Sequence, residues 1–122
     1  MGNEPSVRFH FKREEHLKGR NEIREVFKSG RQFGCRGAKL FVLKNELAYN
    51  RICFTFSRGF GNAVARNRAR RLGREAFRLI KGRLFGGHDL ILLVYPEAEA
   101  ETVFSDRAKQ LDSLFFKAGL LK

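Results

Sequence analysis

The chain has 122 residues, enough for one domain with its own core, and 43% of them are hydrophobic, so it folds and does not trail as a basic tail. Its 25 Lys and Arg outnumber 13 Asp and Glu, a net charge of +12 that points to a polyanionic partner. No apolar run approaches the ~20 residues of a membrane span, and the opening MGNEPSVRFHFKREEH lacks the apolar stretch of a secretory signal. A cytoplasmic protein with no membrane partner is expected.

Residues 1–15 are polar and mixed in charge, and an arm is expected there. Over residues 21–29, Ile23, Val26 and Phe27 fall at helical spacing, and Gly30 supplies a stop. Residues 31–36 form a weak extended run. AKLFVLK (38–44) and RICFTFS (51–57) are stronger strands, separated by the turn-like NELAYN. SRGFGN then leads into a helix predicted over 63–84, with Asn62 as N-cap and Gly86-Gly87 as breaker. GFGNAV in that turn shares two glycines with the dinucleotide fingerprint, but Val64 takes the third position and no alternating β-α-β unit surrounds it. It reads as a tight turn. DLILLVY (89–95) is continuously apolar, as in a buried central strand, and Pro96 ends it. Phe104, Ala108, Leu111, Phe115 and Ala118 mark a closing amphipathic helix, with Glu97, Glu99 and Glu101 near its start, where the helix dipole favours anions. The order is one helix, three strands (one of them weak), then helix, strand and helix. That is a two-layer α/β sandwich in a single domain over 1–122. Cys35 and Cys53 have no C-x-x-C spacing and read as inert thiols. His10, His16 and His88 show no metal-ligand spacing, so no metal site is expected on the chain.

The charge is concentrated. Residues 58–85 carry nine basic side chains and one acidic one, and ARNRARRLGREAFR (65–78) holds six arginines with only Glu75 against them. At ~100° per residue, Ala65, Ala69, Leu72, Ala76, Leu79 and Ile80 share a stripe that would pack on the sheet. Asn67, Arg70, Arg71, Arg74, Arg78 and Lys81 lie opposite, flanked by Arg66 and Arg68. A helix built for solubility mixes signs, whereas Arg70, Arg74 and Arg78 stack like charges at i,i+4, each pair costing a few tenths of a kcal/mol. A missing counter-anion explains the pattern, and guanidinium, which binds two oxygens at once, suits phosphate. The basic helix has no helix-turn-helix partner and no zinc ligand set, so a DNA groove reader is not expected. The 13 Phe residues, several beside basic groups, favour unpaired RNA stacked on aromatic rings. Phe27 and Phe41 are candidates for such a platform.

FSRGFGNAVARNRARRLGREAFR (56–78) closely resembles the signature of the protein subunit of bacterial ribonuclease P, with its Asn-Ala-Val-x-Arg-Asn-Arg run, and the likeness extends over residues 17–121. The resemblance implies an αβββαβα fold of the ribosomal protein S5 domain 2 type with a left-handed βαβ crossover. It also implies a holoenzyme that cleaves the 5′ leader from precursor tRNA. There the catalyst is a large RNA that holds the Mg2+, and the protein supplies no catalytic residue and is a monomer in a 1:1 ribonucleoprotein. By position, Arg66, Asn67, Arg68, Arg70, Arg71 and Arg74 match residues that contact the catalytic RNA. Ile23, Phe27 and Phe41, with Arg70 and Arg74, match the cleft that takes the leader. The chain departs from the family at three places. Ile23 replaces an aromatic residue, Gly73 replaces an aliphatic one in mid-helix at up to ~1 kcal/mol of helix stability, and Val94-Tyr95-Pro96 is one residue shorter than the family's basic run. The alternative is a non-enzymatic RNA-binding protein, ribosomal or chaperone-like, on the same fold.

Overall fold

The computed structural model describes residues 13–96 and 103–122. Helix α1 (Arg20–Ser29) is followed by strands β1 (Arg31–Cys35), β2 (Ala38–Lys44) and β3 (Arg51–Phe56). Helix α2 (Ala63–Ile80), strand β4 (His88–Val94) and helix α3 (Phe104–Lys117) complete the order, the αβββαβα arrangement expected. The weak run after α1 is a true strand because a two-residue turn, Arg36-Gly37, folds it onto β2, and Gly37 takes the positive φ of +86° which that turn needs.

The sheet order is β1-β2-β4-β3. β1/β2 and β2/β4 are antiparallel, while β3 runs parallel to β4 with Cys53 beside Ile91, so α2 is the crossover between two neighbouring parallel strands. Side chains alternate across the sheet. Leu40, Val42, Ile52, Phe54, Leu90, Leu92 and Val94 face α2 and α3, with Phe77 and Phe115 between the layers. Phe41 and Ile91 face the other way, under Val26 of α1 and Leu17. Covered on both sides, β4 reads as one apolar run.

Of the arm expected over 1–15, residues 1–12 lie outside the described residues, and Arg13–Glu15 forms a 3-10 turn that is fastened to the body. The Lys81 ammonium donates to both Glu15 carboxylate oxygens, at 2.8 and 3.1 Å. Leu17 N donates to the Ile52 carbonyl at 3.0 Å, and His16 bridges to Ile52 as a fragment of parallel strand along β3. At the far side of the sheet, Lys117 donates to the Gly34 carbonyl at 2.6 Å, and Arg31 donates to the Ala118 carbonyl at 3.3 Å. Glu97, Glu99 and Glu101 lie outside the described residues, and the α3 start is instead capped by Asp106, which accepts from Val103 N at 3.1 Å. Arg107, absent from the predicted apolar stripe, is fully buried on α3 and donates to Gln110.

Helix α2 corrects the sequence reading in two respects. It ends at Ile80 and tightens into a 3-10 turn over Lys81–Arg83, ahead of its predicted end, because Gly82 weakens the helix and the chain must turn back towards β4. Its buried stripe is Ala69, Gly73, Ala76, Phe77 and Ile80, rotated by roughly 50° from the predicted one. Leu79, expected inside, is 50% exposed. Gly73, left out of the predicted stripe, faces the sheet, and a Cβ there would lie 2.6 Å from Cε1 of Phe54. The ring of Phe54 occupies the space a side chain at 73 would fill. The predicted cap is in place, with Asn62 Oδ1 accepting from Ala65 N at 2.9 Å. Asn62→Ala should lower stability by about 1 kcal/mol and Asn62→Asp by much less, read from urea unfolding midpoints.

Both cysteines are free and half-buried, and burial pushes each thiol up from its usual pKa, as expected of unreactive groups. Among the described residues no helix is long and apolar enough to cross a membrane.

Candidate nucleic-acid interface

The rotation of α2 divides its arginines. With Gly73 on the sheet, Arg66, Arg70 and Arg74 recur every fourth residue down the flank beside β3. Arg71 points away from the sheet, and Arg68 lies on the opposite flank. The one-surface reading of these charges is therefore corrected to a flank, a crest and a far side. Arg66, Asn67, Arg68, Arg71 and Arg74 are exposed and Arg70 is half-buried. Asn67 orients its neighbour, because its Oδ1 accepts from Arg70 Nη1 at 2.9 Å. The Arg70 guanidinium lies 5.1 Å from the Phe56 ring centroid, a cation–π contact that limits its rotamers.

Two cations predicted on the open face are engaged by the chain's own carboxylates. Arg78 donates to both oxygens of Glu75, which holds that carboxyl below its ordinary pKa. Lys81 is drawn to Glu15. Arg70 and Arg74 instead line a cavity of about 190 Å³ together with His16 and Lys18, floored by Ile52–Phe54 of β3. Sequence reasoning missed His16 and Lys18. They precede α1, outside any periodic element, and only the bridge to Ile52 brings them beside α2.

The residues expected to hold a leader sit on the other face of the sheet. Phe27 of α1 meets Phe41 of β2 edge to face, with centroids 4.9 Å apart and planes at 71°. Phe41 is only 7% exposed, so it works as the buried backing of Phe27, whose own ring is 39% exposed. Ile23 is half-buried and packs on the same cluster, next to Leu43, Cys53 and Leu93. Lys39, also missed, shares the Phe41 face of β2 by strand alternation. Its ammonium lies 6.0 Å from the Phe41 ring centroid and donates to Gln32 at 3.4 Å.

Cys53 connects these two regions. It packs on the cluster beneath α1 and also lines the Arg70–Arg74 cavity, so the path from Phe27 to the arginine flank crosses the sheet from β2 over β4 to β3. Ile23, Phe27 and Phe41 form one end of that path, Arg70 and Arg74 the other. Arg68 and Arg71 stand apart from it. An apolar and aromatic floor beside a row of guanidinium groups is the arrangement that binds unpaired nucleic acid, with bases against rings and phosphates against cations.

Comparison with known proteins agrees. The family model described as Ribonuclease P matches residues 11–119. The ribonuclease P protein component of Alkaliphilus metalliredigens is 35% identical over 86 residues, 70% of this chain and 78% of that one. That of Clostridioides difficile is 33% identical over 105 residues, 85% of this chain and 91% of the relative. The solved RNase P protein from Thermotoga maritima superposes with a TM-score of 0.76 at 27% identity, covering 84% of this chain and 96% of that structure. A match across most of the chain, on the sheet order and helix surface described above, has one reading: the chain belongs to the ribonuclease P protein family.

Proposed function

We propose that this chain is the protein subunit of a ribonuclease P, binding the catalytic RNA and the 5′ leader of precursor tRNA so that the RNA removes the leader and leaves the mature 5′ end. The observation that carries this reading is the arginine flank of α2 beside β3, joined through Cys53 to the cluster under the exposed aromatic on α1. Arg66, Asn67, Arg68 and Arg71 are assigned to the catalytic RNA. Arg70 and Arg74 stand where that contact and the leader path meet, and Ile23, Phe27 and Phe41 take the leader's bases. Ile23 offers apolar contact only, which leaves Phe27 as the stacking residue of α1.

The chain's contribution is electrostatic and positional. A leader and an RNA both carry one negative charge per nucleotide, and guanidinium groups held at i,i+4 by a helix offset that repulsion without rearrangement. Mg2+, which the family resemblance implies, would be held mainly by the RNA and would supply activation of the attacking water there. No three His, Cys, Asp or Glu side chains converge on a point among the described residues. We assign the ion to the RNA because the family resemblance implies it. The subunit is proposed to act in the cytoplasm as one copy per RNA, with no part for DNA or membrane.

Reconstitution with the cognate RNA tests this. Protein plus RNA should process precursor tRNA at Mg2+ concentrations where RNA alone is slow, and protein freed of RNA should cleave nothing. Phe27→Ala should weaken leader-bearing substrate roughly tenfold, the value of one base stacked on an aromatic ring, and leave leaderless tRNA unchanged. Equal losses for both substrates would remove Phe27 from the leader path. Recovery of ribosomal RNA alone with the purified protein would favour the ribosomal or chaperone-like alternative.

A further inference from the structure

We propose that the cavity between residues 16–18, β3 and α2 seats one RNA phosphodiester, and that His16 makes this contact depend on protons. The inference rests on the RNA-binding reading above and adds two residues to it, His16 and Lys18.

The cavity is built and charged. Arg70 and Arg74 enter from α2, Lys18 and His16 from the segment before α1, and among the described residues no carboxylate lines it. At about 190 Å³ it is smaller than the ~300 Å³ at which pockets begin to take drug-sized ligands, so it suits a phosphate better than a nucleoside. Its wall is held in place before any ligand arrives. Glu15 is tied to Lys81, Leu17 is buried and bonded to Ile52, and His16 is fixed between them by the bridge to β3. Arg70 is oriented by Asn67 and by the Phe56 ring.

The unliganded cavity favours the neutral form of His16. Burial lowers its pKa first, Arg74 and Lys18 add to the effect, and Glu15 opposes it. Glu15 is engaged by Lys81, and the Cys53 thiol facing from β3 is pushed up by burial and stays uncharged. A phosphodiester reverses this balance. Its charge offsets Arg74, Arg70 and Lys18 and favours the imidazolium, which then donates to a phosphate oxygen. Binding takes up a proton, so affinity rises as pH falls through the titration of His16. Each unit by which the bound pKa exceeds the free one adds a factor of ten.

The phosphate could belong to the leader or to the catalytic RNA, and the test separates them. Affinity of the full-length protein would be measured from pH 5.5 to 8.0, at fixed salt, for precursor tRNA with its leader, for leaderless tRNA and for the catalytic RNA. Wild type should bind at least one RNA about three- to tenfold more tightly at pH 5.5 than at pH 8.0. A gain confined to leader-bearing substrate assigns the phosphate to the leader; a gain for the catalytic RNA assigns it there, and that second result would stand even if Phe27→Ala removed the leader reading. His16→Gln should flatten the profile at the wild-type pH 8.0 level. His16→Arg should flatten it at or above the wild-type pH 5.5 level, which a misfolded variant would not do. NMR titration of the His16 ring should move upward when the RNA is added. A flat wild-type profile for all three RNAs, a slope that survives His16→Gln, or a ring titration unmoved by RNA would overturn the proposal.

Discussion

Gly73→Leu should destabilise the fold by about 2–3 kcal/mol, seen as a lower urea midpoint with an unchanged slope. A glycine on the outer face of a helix would respond in the opposite direction, because any aliphatic residue gains up to ~1 kcal/mol of propensity over glycine. Here the first carbon added lies 2.6–2.7 Å from two ring carbons of Phe54. That ring is buried in the core between the sheet and α2. The family's aliphatic residue at this position and this chain's glycine become two ways of filling one space, with Phe54 supplying the volume across the interface. Gly73→Leu combined with Phe54→Ala should therefore recover much of the loss, and the cycle of four proteins should show coupling well above the ~0.5 kcal/mol of independent sites. A stabilised Gly73→Leu protein would place the glycine on the solvent side of α2 and sink the argument.

Replacing Arg66, Arg70 and Arg74 together with alanine should weaken binding to the cognate RNA by about a hundred- to thousandfold at physiological salt. It should also lower the slope of log affinity against log salt by about two. These three residues share one flank, and each releases counterions from the same stretch of backbone. Arg78→Ala is the matched control, because Glu75 already engages that guanidinium. Its effect should stay under about threefold. A triple variant with intact circular dichroism and an unaltered salt slope would show that the flank is not the phosphate contact.

Much of this molecule was legible in its sequence. Strand alternation, the apolar run of β4 and the Asn62 cap are local signals, and the fold follows them. The helical wheel failed at Leu79 and passed over Gly73 for a specific reason. Hydrophobic periodicity gives glycine no weight, so a stripe whose centre is a void filled from the opposite layer shifts towards the nearest leucine. Phe27 and Ile23 were found by spacing and family position, and Phe41 too, although it serves as backing and not as an open platform. His16 and Lys18 carried no signal because what matters about them is a bridge to a strand some 35 residues later in the chain, and Glu15 was read as arm because its partner, Lys81, lies at the far end of α2.

The fastening of residues 13–17 has a consequence beyond RNA. The two outermost strands, β1 and β3, are the places where another copy of the chain could add a strand of its own and begin a ladder of copies. At β3 the His16–Leu17 segment takes the Ile52 position. Across the sheet, the Lys117 ammonium occupies a β1 carbonyl, and Arg31, turned to the end of α3, adds a second positive charge beside it. Blocked strands and cationic margins are devices that oppose intermolecular β-pairing. A chain with a charge of +12 must wait for its RNA without meeting itself, and each margin of the sheet carries a contact that opposes self-templating.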